Sequence, residues 1–201
     1  MTDSFLTLQT TGEAIYTEKR SKFYAFAYHV ECEEEVKQYV AALQKKFYDA
    51  RHVCYAYALG VDGGQTRCND DGEPSGSAGK PILGQIRSFG LTQVLVGVVR
   101  YFGGVKLGTG GLAVAYKTAA ADALTAATQV ERLVMAQFVV EVPYTDADVA
   151  MRFVREGEGE IITREYTAIS TLLTIQVRQS LLIPLRERLR KILSLRFVEE
   201  G

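Results

Sequence analysis

The sequence predicts an α+β protein of two domains, and three observations support this fold class. Segments rich in aromatic and β-branched residues, which favour strands, alternate along the chain with segments whose apolar residues recur at helical spacing. From about residue 135 the predicted order is strand, helix, strand, strand, helix, strand, which is the split βαβ pattern of ferredoxin-like domains. The chain has 201 residues, 47% hydrophobic and 23% charged, so its composition is ordinary for a globular protein and its length suits one large or two small domains.

The first half of the chain begins with strands and a helix. Residues 22–30, KFYAFAYHV, predict a strand, and the segment before it supplies a hairpin partner. Residues 33–48 predict a helix, because apolar residues recur there at helical spacing and three glutamates at its start suit the positive end of the helix dipole. Residues 51–59 predict another strand, whose alternate side chains line two different faces.

A long loop and a buried strand follow. Residues 60–81 are polar and rich in glycine, and we expect them to form a long loop of the kind that is often functional. Pro81 fits the first turn of a helix that runs to about Phe89. Residues 93–101 are almost continuously apolar and predict a strand buried on both faces. A glycine-rich loop comes next, and residues 112–127 predict an alanine-rich helix.

The domain boundary is expected just before the second series of strands and helices. This places residues 1–130 in an N-terminal domain and residues 131–201 in a C-terminal domain. In the second domain, Thr145 is expected to cap the first helix and Ser180 the second, with Pro184 in the first turn of the second helix.

Charge and cysteine content limit the classes of function. Lys and Arg number 23 and Asp and Glu 24, so no global field attracts a polyanion, and any nucleic-acid contact has to come from a local patch. No stretch approaches the ~20 apolar residues of a membrane span, and the N-terminus does not resemble a signal peptide. Three cysteines without a CxxC motif leave an odd thiol under any pairing. We therefore expect a cytoplasmic protein without a membrane partner.

Several common site motifs are excluded. The GxGxxA match that starts at Gly108 lies too far after its strand to be a dinucleotide fingerprint. Gly79 and Lys80 are followed by proline and lack the other residues of a P-loop. The histidine, cysteines and carboxylates of residues 52–73 match no known spacing of metal ligands. No metal site is predicted, and the sequence does not assign a cofactor or an oligomeric state.

Two glycine-containing loops remain as the candidate site. Glycines let backbone N–H groups converge on an anion, and a helix N-terminus adds partial positive charge there. A close crossing of backbones, where only glycine fits, explains the same glycines equally well. In the first interpretation the loops bind a phosphorylated ligand. The candidate ligand-binding residues are Asp70, Asp71, Glu73, Ser75, Lys80, Arg100, Tyr101, Gly103, Gly104, Lys106, Gly108, Thr109, Gly110 and Gly111.

The second domain contains the most basic part of the chain, around the segment PLRERLRKIL. A nucleic-acid-binding face is one interpretation of these cations, and a solvated helix surface is the other. The candidate nucleic-acid-binding residues are Arg178, Arg186, Arg188, Arg190 and Lys191.

Three separated motifs occur in order along the chain: RHVCYAYALG, NDDGEPSGSAGKPIL and VGVVRYFGGVKLGTGGLAVAY. On these motifs the chain resembles the YigZ/Impact family, and the resemblance covers nearly its whole length. It implies an N-terminal domain with the fold of the second domain of ribosomal protein S5, and a ferredoxin-like C-terminal domain similar to the last domain of elongation factor G. Members usually carry Arg or Lys where this chain has Val114, so one cation is missing near the expected anion site.

The resemblance implies a function in translation, because the eukaryotic relative Impact looks like a translation regulator. We therefore expect a non-enzymatic regulator of translation, or a protein that binds RNA or the ribosome, with its site between the two loops. The alternative is an enzyme or small-molecule binder that holds a phosphorylated ligand between the DDGEPSG and GGVKLGTGG loops. In a third interpretation the two loops only neutralise each other, for example through a pair between Asp71 and Arg100.

Overall fold

The computed structural model describes residues 3–198. The chain divides into two compact units, Phe5–Arg132 and Leu133–Gly201, and the second unit also includes Met1–Ser4. The expected domains of residues 1–130 and 131–201 also contain residues 1–2 and 199–201, which lie outside the described residues. Helices and antiparallel sheets occur in both units, so the predicted α+β class is confirmed.

The first unit is built on a five-stranded antiparallel sheet with the strand order β2-β3-β6-β4-β5. Strands β1 and β7 form a separate two-stranded sheet. The strands are β1 (Ser4–Leu8), β2 (Gly12–Glu18), β3 (Ser21–His29), β4 (His52–Leu59), β5 (Gln65–Asn69), β6 (Val94–Tyr101) and β7 (Gln129–Leu133), and the helices are α1 (Glu33–Lys46), α2 (Gly79–Ser88) and α3 (Gly108–Ala126).

The central strand β6 is buried on both faces, as its apolar sequence predicts. Val96 and Val98 belong to one core with residues of α2 and α3, whereas Leu95 and Val99 belong to smaller cores on the side of α1. Burial on both faces favours near-continuous Val, Ile and Leu, which is why this strand is recognisable from its sequence. The two predicted faces of β4 are confirmed in the same way.

Two sequence expectations for this unit are wrong, and two of its strands have no counterpart among the predicted elements. Strand β5 lies inside the predicted loop of residues 60–81; it is a polar edge strand that pairs only with β4, so it lacks an apolar pattern. Helix α3 begins at Gly108 and not at residue 112, so glycines form its first turn despite their low helix propensity. Strands β1 and β7 are short and were not expected.

The second unit contains β8 (Met135–Pro143), α4 (Ala147–Glu156), β9 (Glu160–Tyr166), β10 (Ser170–Arg178), α5 (Leu182–Leu189) and β11 (Arg196–Val198). Its antiparallel sheet has the order β11-β8-β10-β9, which is the order of a split βαβ arrangement. One face of the sheet packs on both helices through a core that includes Val140, Val154, Ile175 and Leu189.

The expected helix caps of this unit are corrected by the structure. Asp146, not Thr145, precedes α4, and its carboxylate accepts a hydrogen bond from the Ser194 hydroxyl instead of capping the helix. The Ser180 hydroxyl donates to Asp3 Oδ2, and α5 begins two residues later, after a 3-10 turn. Local sequence identifies residues that can cap, but tertiary partners compete for the same oxygens.

Candidate ligand-binding cavity

Two segments of the first unit meet at the candidate site. The acidic loop, residues 70–78, joins β5 to α2, and the glycine loop, residues 102–107, joins β6 to α3. Asp70 begins the acidic loop and accepts hydrogen bonds from the amides of Gly76, Ala78 and Gly79 at 2.8, 3.0 and 2.8 Å. Burial opposes its ionisation, but the amide hydrogen bonds outweigh this, so the pKa of Asp70 lies below its ordinary value. Asp70 therefore shapes the loop and the start of α2.

Asp71 fastens the acidic loop to β4. Its Oδ2 accepts a hydrogen bond from the Val53 amide at 2.7 Å, and its carbonyl oxygen lies 2.7 Å from His52 Nδ1. A carbonyl oxygen only accepts, so His52 Nδ1 carries the proton, and in the neutral ring Nε2 is left as an acceptor. Asp71 therefore fixes the tautomer and orientation of His52.

Glu73 pairs with Arg100, and this corrects the expected pair between Asp71 and Arg100. Glu73 Oε1 lies 2.6 Å from Arg100 Nη1 and also accepts a hydrogen bond from the Tyr116 hydroxyl at 2.8 Å. The Cys54 thiol donates in turn to the Tyr116 oxygen at 3.3 Å. Burial raises the pKa of Cys54 to about 12 and also raises the pKa of Tyr116, so both groups stay protonated.

A cavity of about 380 Å³ opens between the two loops. Five of the candidate residues line it, namely Glu73, Arg100, Lys106, Gly108 and Thr109. Sequence reasoning did not identify six other lining residues, namely Arg51, His52, Pro74, Phe102, Leu107 and Leu112. His52 and Arg100 are direct partners across β4 and β6, so the strand register brings them together. This pairing depends on the tertiary structure, and no local pattern in the sequence indicates it.

Different physical reasons explain why glycine occupies different positions near the cavity. A Cβ on Gly103 would lie 2.1 Å from the carbonyl carbon of Arg20, so a close backbone crossing requires glycine there. Gly104 and Gly108 have φ angles of +86° and +72°, which side chains rarely adopt. At Gly110 a Cβ would meet nothing within 4 Å, and its φ is not positive. Neither packing nor backbone conformation explains glycine at that position.

The first turn of α3 lines the cavity through Gly108 and Thr109. Leu107, which precedes the helix, makes no side-chain capping hydrogen bond. Within residues 3–198, the amides of Gly108, Thr109 and Gly110 make no hydrogen bond to another segment. Arg100 lines the same cavity with a side chain that is only 8% exposed, and its Nε is buried without a hydrogen-bond partner among the described residues. The amides of this turn are donors for an anion, whereas the Arg100 Nε is enclosed by protein and is not exposed to the cavity.

Other candidate residues lie outside the cavity lining. Ser75 and Lys80 are exposed, and Tyr101 donates its hydroxyl hydrogen bond to Asp49 Oδ1 at 2.6 Å. The carboxylates of Asp70 and Asp71 accept the internal hydrogen bonds described above. The structure therefore brings together one carboxylate, two cations and the first turn of α3, and separates them from the remaining acidic residues of the loop.

The basic residues of the second unit are partly engaged in internal contacts. The guanidinium of Arg186 lies 4.7 Å from the ring centroid of Phe197, and its Nε is buried. Arg188 forms an ion pair with Glu156. Arg178, Arg190 and Lys191 are exposed, and the guanidinium of Arg190 also lies 5.7 Å from the Phe197 ring centroid.

Within residues 3–198, no cluster of three His, Cys, Asp or Glu side chains could hold a metal ion. In the same part of the chain, no helix has the length and apolar character needed to cross a bilayer.

Comparisons with known proteins identify the family. The Impact N-terminal domain family matches residues 19–124. The chain is 34% identical over 156 residues to IMPACT family member YigZ of Escherichia coli (strain K12), covering 77% of this chain and 76% of the relative. It is 35% identical over 145 residues to IMPACT family member YvyE of Bacillus subtilis (strain 168), covering 72% and 67%. A crystal structure of a hypothetical protein aligns over 100% of both chains, with a TM-score of 0.72 and 29% identity. The chain therefore belongs to the IMPACT family.

Proposed function

We propose that this protein is a non-enzymatic regulator of translation that binds phosphate groups of RNA in the cavity of its first unit. One observation carries the proposal: the first turn of α3, whose amides make no hydrogen bond to another segment among the described residues, lines one cavity together with Arg51, Arg100 and Lys106. The role in translation is the one that the family resemblance implies. The phosphate site is what the geometry adds to it.

The electrostatics of the cavity favour an anion. Glu73 balances the charge of Arg100 through their ion pair, whereas Arg51 and Lys106 are exposed cations that also line the cavity. The N-terminus of a helix adds roughly half a positive charge and N–H groups directed at a ligand. Gly110 belongs to the same helical turn, and a Cβ there would meet no atom of the described chain within 4 Å. Backbone amides and cations together are the usual way in which proteins bind phosphate.

The cavity favours binding over covalent catalysis. Cys54 and Tyr116 are held protonated by burial, and Glu73 is engaged with Arg100 and Tyr116. None of these three groups is therefore placed to act as a nucleophile or as a general base.

Fluorescence anisotropy with a labelled single-stranded RNA at low salt tests the proposal. Lys106→Ala and Arg51→Ala should each weaken binding and reduce the slope of log affinity against log salt by about 0.7. Lys45→Ala, which removes an exposed cation of α1 outside the cavity, is the matched control and should change neither quantity. Equal effects of the three variants on binding, or no binding of RNA at low salt, would overturn the proposal.

A second candidate function is the binding or turnover of a small phosphorylated molecule, and His52 favours it. Its Nδ1 is fixed by the Asp71 carbonyl and the ring lines the cavity, an arrangement that suits a general base. The cavity volume of about 380 Å³ also falls within the usual range for small-molecule sites. Thermal-shift measurements with nucleotides and sugar phosphates, with and without magnesium, test this candidate. A stabilisation that His52→Ala abolishes would favour it over RNA binding.

A further inference from the structure

The cavity has an exposed aromatic residue at its edge. Phe102, the first residue of the glycine loop, is 51% exposed and lines the cavity. It carries the only phenyl or phenol ring among the lining residues. A large apolar side chain that remains exposed beside a polar site is a common feature of surfaces that bind a partner. The proposed phosphate site does not account for Phe102.

Phe102 lies directly beside the groups that favour an anion. The guanidinium carbon of Arg100 is 5.7 Å from the centre of the Phe102 ring, so the two side chains are in cation–π contact. Leu107, Leu112 and Pro74 add further apolar surface to the cavity. One part of the cavity therefore favours negative charge, and the adjacent part favours a flat apolar group.

We propose that the cavity binds one unpaired nucleotide, with its phosphate at the first turn of α3 and its base stacked on Phe102. This inference rests on the proposed phosphate site and names the class of ligand that the site accepts. A nucleotide combines an anionic group and a flat aromatic group in one molecule, as the two adjacent parts of the cavity require. Base stacking on an aromatic side chain adds affinity with little dependence on sequence.

The base has to be unpaired. Inside a duplex both faces of each base are covered by its neighbours, so an aromatic side chain cannot stack on it. Single-stranded RNA and a free mononucleotide both offer the required chemistry, whereas double-stranded RNA does not. The comparison of these three ligands is therefore part of the test.

Isothermal titration calorimetry with matched ligands tests the proposal. Adenosine monophosphate and ribose 5-phosphate share a sugar and a phosphate, and only the first has a base. In the wild-type protein the nucleotide should bind about tenfold more tightly than the sugar phosphate. Phe102→Leu keeps an apolar side chain but removes the ring, so it should abolish this difference and leave the affinity for ribose 5-phosphate unchanged. Tyr48→Leu, which removes an exposed ring outside the cavity, is the control.

The outcomes separate the inference from the function on which it rests. Equal affinity of wild type for both ligands, or a preference that Phe102→Leu retains, overturns stacking while leaving the phosphate site intact. Absence of binding by either ligand and by an eight-nucleotide RNA overturns both. An RNA that binds more tightly than the mononucleotide identifies a strand as the source of the nucleotide, and the reverse identifies a free nucleotide. A duplex that binds as tightly as the single strand overturns the requirement for an unpaired base.

Discussion

Glu73 and Arg100 form an ion pair inside the first unit, with 2.6 Å between Glu73 Oε1 and Arg100 Nη1. The two side chains are only 4% and 8% exposed. Because the Tyr116 hydroxyl donates to the same carboxylate oxygen, one side chain connects the acidic loop to both β6 and α3. The pair contributes to the wall of the cavity and to the core beneath it.

Removal of Glu73 should destabilise the protein strongly, because it leaves the Arg100 charge buried and unpaired. Glu73→Ala is expected to lower the free energy of unfolding by about 3–5 kcal/mol in urea denaturation followed by circular dichroism. Glu34→Ala, which removes the exposed partner of Lys37, should cost at most about 0.5 kcal/mol. Similar losses in both variants would contradict the assigned role of the buried pair.

Asp70 should make the protein sensitive to acid. Its pKa is lowered in the folded state, so its contribution to stability is complete above the ordinary value of 3.8 and is lost as the pH falls through the folded pKa. The free energy of unfolding, measured by urea denaturation from pH 6 down to acidic pH, should therefore depend less on pH in Asp70→Asn than in the wild-type protein. Glu187→Gln, on the exposed side of α5, serves as the control. An unchanged pH dependence in Asp70→Asn would refute its role in holding the acidic loop and the start of α2.

Cys32 and Cys54 should differ in reactivity. Burial raises the pKa of Cys54 to about 12, so its thiol remains protonated and enclosed near pH 8. Cys32 is exposed and should be alkylated rapidly by iodoacetamide. Mass spectrometry of peptides should show Cys54 labelled only after unfolding. Rapid labelling of Cys54 in the folded protein would contradict the conclusion that this thiol is enclosed and non-reactive.

Two glycine-to-alanine substitutions should separate packing from ligand approach. Gly103→Ala places a Cβ against the backbone of Arg20 and should lower the free energy of unfolding by about 3 kcal/mol. Gly110→Ala meets no neighbour and should stabilise α3 by about 0.5–1 kcal/mol while it weakens binding of phosphorylated ligands. Thermal unfolding measures the changes in stability, and fluorescence anisotropy measures binding. If Gly110→Ala binds as tightly as the wild-type protein, Gly110 is not part of the binding site.

The basic residues of the second unit need a test that avoids internal contacts. Charge reversal of Arg186 would disturb its contact with Phe197, and Arg190 also lies 5.7 Å from that ring, so the exposed residue Lys191 is the better target. If this face contacts RNA, Lys191→Glu should lower affinity about tenfold at low salt. Circular dichroism verifies that the variant is folded. Unchanged affinity would restrict RNA contact to the first unit.

The elements predictable from sequence are those with strong periodic or apolar patterns. Strand β6 and helix α1 were predicted within two residues at each end, because burial on two faces and amphipathic spacing leave clear patterns. Strand β5 was not predicted, since its pairing with β4 and not its residue types makes it a strand. Edge strands with polar residues generally have little local signal.

The candidate site, like the fold, is predictable from the sequence only in part. The glycine and acidic loops were identified as its two sides, and both line the cavity through Lys106 and Glu73. His52 and Phe102 were not identified, because their positions depend on strand register and loop conformation. Asp70 was included as a candidate ligand-binding residue although its acceptors are used by amides six, eight and nine residues later. Residue type alone does not distinguish a carboxylate that shapes a loop from one that contacts a ligand.

The close approach between Gly103 and the turn that joins β2 to β3 limits how this turn can vary in length. Surface hairpin turns usually tolerate insertions. Here Lys19 and Arg20 occupy the two turn positions with positive φ, and the Gly103 amide donates to Ser21 Oγ at 3.1 Å. An added residue would displace the support beneath the glycine loop. An inserted tag in this domain is therefore better placed at the turn of residues 60–64, where Asp62 and Gly64 are exposed, than at this hairpin.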